Sequence, residues 1–205
     1  LEALAGTNRQ IVEISALEPA ELPDLDALYI GGGFPETHAE QLATNTVFKT
    51  SLLRAVQNGL PVYAECGGLM YLARNLHMDD HVYPMVGVFP MDTVLERKPK
   101  GLGYIHVEVD RPNPFYPQGA MLAGHEFHYS SVANLERDDD ACVFRVVRGH
   151  GMDGLRDGIS RFNALGTYMH VHALGESLWA EGILARAAAY HHMRTCNPGA
   201  SRPNS

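Results

Sequence analysis

Apolar and polar residues change their spacing several times along this chain, and each change marks an element. Residues 10–14 and 26–30 are apolar runs of strand length, and the second leads straight into Gly31-Gly32-Gly33. Thr37 with Glu40 three residues on forms a capping box and predicts a helix start. Phe48, Leu52, Leu53 and Val56 continue an apolar stripe at helical spacing, which Asn58-Gly59 stops. Leu60-Pro61-Val62-Tyr63-Ala64 reads as the next strand and residues 67–75 as the next helix. Strand, helix, strand, helix in this order predicts a largely parallel central sheet with helices on both faces.

The second half is richer in strands. Residues 104–109 alternate with period two, residues 141–147 are rich in β-formers, and residues 124–129 and 165–172 read as extended. Residues 177–193 close the domain as a helix, with Leu178, Ile183, Leu184 and Ala188 expected inward. The fold class is therefore α/β with an antiparallel extension. Residues 1–194 form one domain, and residues 195–205 have almost nothing to bury and are expected to be a disordered tail.

Composition narrows the function classes. A chain of 205 residues, 45% hydrophobic and 20% charged, suits one globular domain with a sizeable core. A formal net charge of -8 argues against nucleic acid or an anionic membrane as partner. No apolar run approaches the roughly 20 residues that span a bilayer. Residues 1–10 lack the basic start and apolar centre of a signal peptide. Cys66, Cys142 and Cys196 are odd in number and widely spaced, which is no disulfide framework and suits a reducing, cytoplasmic compartment.

The most informative stretch is Leu60 to Met70, where a buried strand ends, Cys66 follows, and Gly67-Gly68 open a helix. A nucleophile on a sharp strand-to-helix turn needs small neighbours because the backbone is crowded there. The positive end of the helix favours a thiolate, and the Gly67 amide would face the oxygen of a tetrahedral intermediate. Glu65 would oppose ionisation of the thiol if it faced the sulfur, so it is expected to point elsewhere. The same pattern also fits a small buried cysteine packed under a helix. Gly31-Gly32-Gly33, again between strand and helix, could add oxyanion donors from Gly32 and Gly33, or simply form a tight turn. It lacks the Lys and Ser/Thr of a phosphate loop.

A cysteine hydrolase also needs an imidazole in reach. His125-Glu126-Phe127-His128 and His170-Val171-His172 are the clusters that could supply one. The same residue types bind zinc, but no carboxylate or second cysteine completes a ligand pattern, and no metal site is assigned.

Three segments resemble the glutamine amidotransferase domain of cobyrinic acid a,c-diamide synthases, a branch of the class I, triad-type amidotransferase superfamily with its flavodoxin-like sheet. They are residues 28–36 (Leu-Tyr-Ile-Gly-Gly-Gly-Phe-Pro-Glu), residues 63–71 around Cys66, and residues 124–130 (Gly-His-Glu-Phe-His-Tyr-Ser). Tyr168-Met169-His170-Val171-His172 fits as well. The resemblance implies that Cys66 attacks the side-chain amide of glutamine and that His170 is the catalytic base. His172 stands where many triad-type relatives place a glutamate that orients the base, so the orienting candidates are His172, Glu126 and His128.

The resemblance further implies that ammonia passes to an N-terminal synthetase domain. That domain uses ATP and Mg²⁺ to amidate carboxylates of a corrinoid acceptor in cobalamin biosynthesis. Residues 1–4 resemble the helix that follows the first strand of the amidotransferase domain, so the synthetase domain and that strand are expected to lie outside this sequence. An edge so exposed would favour self-association, as in a homodimer. The fragment should then hydrolyse glutamine weakly and not ligate alone. A cobyric acid synthase, an enzyme amidating another tetrapyrrole such as sirohaem, an unrelated cysteine hydrolase and a metal-binding module are the alternatives.

Overall fold

The computed structural model describes residues 2–4, 9–136, 141–173 and 175–196. Its centre is the strand Val62–Glu65 (β2), buried along its whole length. It pairs in parallel with Leu28–Ile30 (β1) on one side and Ala164–Thr167 (β11) on the other. A strand covered on both faces cannot alternate apolar with polar, and so it reads as a continuous apolar run. Beyond β11 the sheet continues antiparallel through Arg156–Arg161 (β10), Cys142–Arg148 (β9), Gly101–Val109 (β6) and Met121–His128 (β7). Four of its seven strands thus belong to the antiparallel extension. The sheet also curls back on itself. His125 N donates to His170 O (3.0 Å) and His170 N to His125 O (2.7 Å), which pins β7 to the segment following β11.

The two faces carry separate cores. On one, Val62 and Ala64 pack with Phe48, Leu52 and Val56 of the helix Thr46–Gln57 (α2) and with Leu69 of the helix Gly67–Leu72 (α3). On the other, Tyr63 meets Phe115, Tyr116, and Trp179 and Ile183 of the helix Ser177–Cys196 (α4). The Tyr63 and Trp179 rings stand edge to face at 6.3 Å, a favoured aromatic geometry. Helices therefore lie on both faces, as the strand-helix alternation predicts. A second sheet orders His81–Pro84 (β4), Asn75–Met78 (β3), Asp92–Leu95 (β5) and Ser130–Ala133 (β8).

Several local expectations are corrected. Residues 10–14 form no strand. The segment they begin lies over the first helices, whose side chains take up its carbonyls: Asn45 Nδ2 donates to Ala16 O and Glu18 O, and Gln41 Nε2 to Leu17 O. The capping box is not made. Thr37 Oγ1 donates to Phe34 O inside a 3-10 turn at Pro35–His38, and the helix Ala39–Thr44 (α1) begins after it. The side-chain cap belongs to Asn45, which accepts from Phe48 N at the start of α2.

The helix predicted over residues 67–75 ends at Leu72, because Arg74 N is captured by Met91 O and Asn75 enters β3. In α4 it is Trp179 and Ile183 that are buried, while Leu178 and Leu184 are half-buried and Ala188 is exposed. That helix runs through Thr195 and Cys196, two residues into the expected tail, and residues 197–205 lie outside the described residues. No helix among the described residues is long and apolar enough to cross a membrane.

Candidate active site

β2 delivers Cys66 to the site. Its backbone sits at φ 46°, ψ −100°, in the positive-φ region that side chains avoid, at a cost of about 1–3 kcal/mol. Two bonds hold it there. Cys66 N donates to Thr167 O at the end of β11 (2.7 Å), and Cys66 O accepts from Met70 N in the first turn of α3 (3.0 Å). The residue is 6% exposed, and its thiol donates to Phe127 O of β7 at 3.7 Å. α3 has only six residues, so it offers its free first amides to the site more than a long aligned dipole.

His170 lies beside the sulfur, three residues past the end of β11. The Cys66 sulfur first, and the Glu65 carboxylate second, push the imidazole pKa up to about 9 against the effect of burial. His170 Nδ1 is 3.5 Å from Glu65 Oε2. Glu65 itself is 2% exposed, and its further bonds come from the Tyr29 hydroxyl (3.0 Å) and Val171 N (3.4 Å). Strand geometry explains this placement. Tyr29 is in register with Tyr63, and Glu65 lies two residues beyond Tyr63 on the same face of β2. Glu65, expected only to point away from the sulfur, is the carboxylate that meets His170. Its position just before the cysteine, on the Tyr63 face, was the available signal.

The three orienting candidates named from the sequence stand elsewhere. Glu126 is buried at 3% exposure and accepts from His150 N (2.7 Å) and Gly151 N (2.8 Å), which ties β7 to the 149–151 turn. Burial works against its ionised form, but His128 and these two amides outweigh it and hold its pKa below the usual glutamate range. His128 points the same way, with Nε2 3.8 Å from Glu126 Oε2 and its ring stacked on Tyr168 at 3.8 Å. His172 is exposed. The member of the cluster that does reach His170 is His125, whose ring stacks on it at 4.9 Å and 14°. Burial first, and the charge on His170 second, lower the His125 pKa.

If Glu126 is a structural anchor, Glu126→Gln should set an amide NH₂ against a backbone N–H and lower stability by about 1–3 kcal/mol. Cys66 reactivity in the folded protein should change less than about threefold, within what a surviving site tolerates. Thermal melting and alkylation kinetics measured side by side check this.

The glycine runs pack against one another. A Cβ on Gly67 would come 2.5 Å from Gly33 O, and one on Gly68 would come 2.5 Å from Ile30 O. A Cβ on Gly32 would overlap His170 Cε1 and lie 2.9 Å from Nδ1. The His170 ring thus has both the Gly32 backbone and the stacked His125 ring as close neighbours, and the turn after β1 reaches the Cys66 turn only because both are bare. Gly32, Gly33 and Gly67 are brought to one site with Cys66 and His170. Among the described residues no group of three or more His, Cys, Asp or Glu side chains is gathered as metal ligands are.

This architecture recurs in known proteins. PurLQS from Thermotoga maritima superposes with TM-score 0.59 at 15% identity, over 83% of this chain and 82% of that one. A solved glutamine amidotransferase superposes with TM-score 0.56 at 16% identity, over 80% of each chain. At these identities the likeness defines the class of fold, that of the glutamine amidotransferases.

The sequence comparison is narrower. The profile of the CobB/CobQ-like glutamine amidotransferase domain matches residues 1–178, and this chain belongs to that family. Among curated relatives, the cobyrinate a,c-diamide synthase of Archaeoglobus fulgidus is 42% identical over 178 residues, and that of Magnetococcus marinus 38% identical over 186. The aligned segments cover 87% and 91% of this chain but only 38% and 39% of those proteins.

Proposed function

We propose that this domain hydrolyses glutamine through a Cys66 thioester, with His170 as acid and base and Glu65 as the group that orients it. The observation that carries the reading is the convergence on one imidazole of a cysteine on a strained strand-to-helix turn and a buried carboxylate 3.5 Å from Nδ1. Cys66, as a thiolate paired with the His170 imidazolium, adds to the amide carbon of glutamine. The displaced electron pair settles on the oxygen, opposite the amides of Gly67, Gly32 and Gly33. Collapse breaks the carbon–nitrogen bond, His170 gives its proton to the nitrogen, and ammonia leaves a thioester behind. Neutral His170 then takes a proton from the attacking water, and glutamate departs as the thiolate–imidazolium pair is restored.

The relatives' name and length extend this reading. The released ammonia would serve ATP- and Mg²⁺-dependent amidation of corrinoid carboxylates, as in cobyrinate a,c-diamide synthesis. This chain's own residues do not fit those cofactors, since Gly31-Gly32-Gly33 has no phosphate-loop Lys or Ser/Thr. ATP and Mg²⁺ are therefore assigned to a synthetase domain in the part of the relatives' length that this chain does not span.

The test is intact-mass and peptide mapping after exposure to a chloroketone analogue of glutamine. A single adduct on Cys66, competed by glutamine, is expected. Labelling spread over Cys142 and Cys196, or labelling indifferent to glutamine, would overturn the reading. Cys142 should be a poor competitor, because burial pushes its thiol pKa up to about 11.

A further inference from the structure

Asp157 of β10 is fully buried and belongs to none of the groups assigned so far. Its carboxylate faces the three residues that join β11 to His170. Oδ2 accepts from Thr167 Oγ1 (2.7 Å) and Met169 N (3.2 Å), and Oδ1 accepts from Tyr168 N (3.1 Å). Thr167 Oγ1 in turn accepts from Met169 N (3.1 Å), so its own hydrogen is committed to Asp157. Burial pushes the Asp157 pKa up, and the Thr167 hydroxyl and the backbone N–H groups, each giving the carboxylate a hydrogen, work against that rise.

Topology gives the cluster its meaning. The β10–β11 ladder runs from Arg161↔Ala164 to Ile159↔Gly166 and goes no further. Beyond it the chain parts from β10 and must still present His170 at a fixed height. Asp157, two residues past the last paired position on β10, supplies side-chain acceptors where the ladder has stopped supplying carbonyls. The same three residues serve the nucleophile, since Thr167 O holds Cys66 N at 2.7 Å. One end of the segment thus fixes the Cys66 backbone, the other carries the base, and Asp157 grips the middle. Gly158, at φ 68°, lets the strand bend next to the carboxylate, and a side chain there would strike the Phe144 ring.

We propose that Asp157 is a positioning residue for the Cys66–His170 pair, acting through the segment Thr167–Met169. The inference rests on the reading of Cys66 and His170 as the reacting pair. Burying a lone carboxylate is costly unless donors surround it, and here the donors are two backbone amides and the Thr167 hydroxyl of the segment that carries His170. Asp157→Asn would turn an amide NH₂ toward one of these donors and free the segment to shift. A displacement well under 1 Å at His170 is enough to slow the chemistry, because proton transfer needs hydrogen-bond contact.

The test compares the wild-type chain with Asp157→Asn and Thr167→Val, using the chloroketone analogue across pH 6 to 10. For Asp157→Asn the maximal inactivation rate at Cys66 should fall about tenfold, with the analogue's half-saturating concentration changed less than about threefold. The alkaline limb of the profile should move to lower pH, because a displaced imidazole loses the sulfur and Glu65 as neighbours. Thr167→Val, which removes only the bridging hydroxyl, should move both readouts in the same direction by a smaller factor. A purely structural role would lower the melting temperature and leave rate and limb in place.

If wild type is alkylated at Cys66 and either folded variant matches it in maximal rate and alkaline limb, the inference fails alone. If wild type is not alkylated at Cys66, the reacting pair fails and the inference with it. Should Asp157→Asn not fold, Thr167→Val decides by the same two readouts.

Discussion

Glu65→Gln should cut the rate of Cys66 acylation by about 10²-fold at neutral pH while the protein stays folded. The carboxylate meets His170 Nδ1 at 3.5 Å and is itself fixed by the Tyr29 hydroxyl and Val171 N. An amide of the same shape keeps the packing but loses the charge that steadies the imidazolium, and it can present NH₂ to a nitrogen that must donate. The pH dependence gives a second readout. With a folded value of about 9 against an ordinary 6.5, His170 keeps its proton up to about pH 9 when both neighbours are present. The stability this adds is fully present below about pH 6.5 and is lost as pH rises through about 9. Removing the second of the two causes lowers the folded value, so the alkaline limb of activity and the alkaline loss of stability should both begin at lower pH. Inactivation rates and melting curves from pH 6 to 10 measure the two shifts. An unchanged limb would mean that Glu65 is a packing residue.

Gly32→Ala should be as damaging, for a steric reason. The added methyl would occupy the space of His170 Cε1, and the stacked His125 ring limits where the imidazole can move. The imidazole must swing away from Glu65 and the sulfur together, and a misplacement near 1 Å costs on the order of 10²-fold. Gly32 is not in the positive-φ region, so alanine should add little backbone strain and the variant should fold. Gly33→Ala is the control, since nothing lies within 4 Å of a Cβ there. Near-wild-type reactivity in Gly32→Ala would show that the ring has room that this structure does not give it.

The sequence carried the parts of the site that are encoded locally. Cys66 at the end of an apolar run, with glycines after it, reads as a turn that must be bare, and the bareness is used: Gly67 and Gly68 press on Gly33 and Ile30. The helical stripe of α2 and the closing α4 were legible because they span several turns. The second sheet was not, because each of its strands has four residues and two of them carry almost no apolar alternation. Residues 10–14 look like a strand in isolation, but they form none, and the segment they open is held through residues 16–18, whose carbonyls accept from the side chains of Gln41 and Asn45. The roles of Glu65 and Asp157 were hidden for a related reason. Glu65 meets residues 29 and 170, far along the chain in both directions, and Asp157 meets residues 167 to 169 only because β10 and β11 fold back on each other.

Closure of the sheet by the His125–His170 pair also sets when the chemistry can appear during folding. Cys66 ends β2, but its backbone is held by Thr167 O, and His170 lies about a hundred residues later, where contacts with β7 and β10 fix its segment. Contacts of such wide sequence separation form late, because their loop-closure entropy must be met first. A nascent or partly unfolded chain therefore carries Cys66 without His170 beside it. The proposed Cys66–His170 pair is complete only when the last third of the polypeptide has locked around the cysteine.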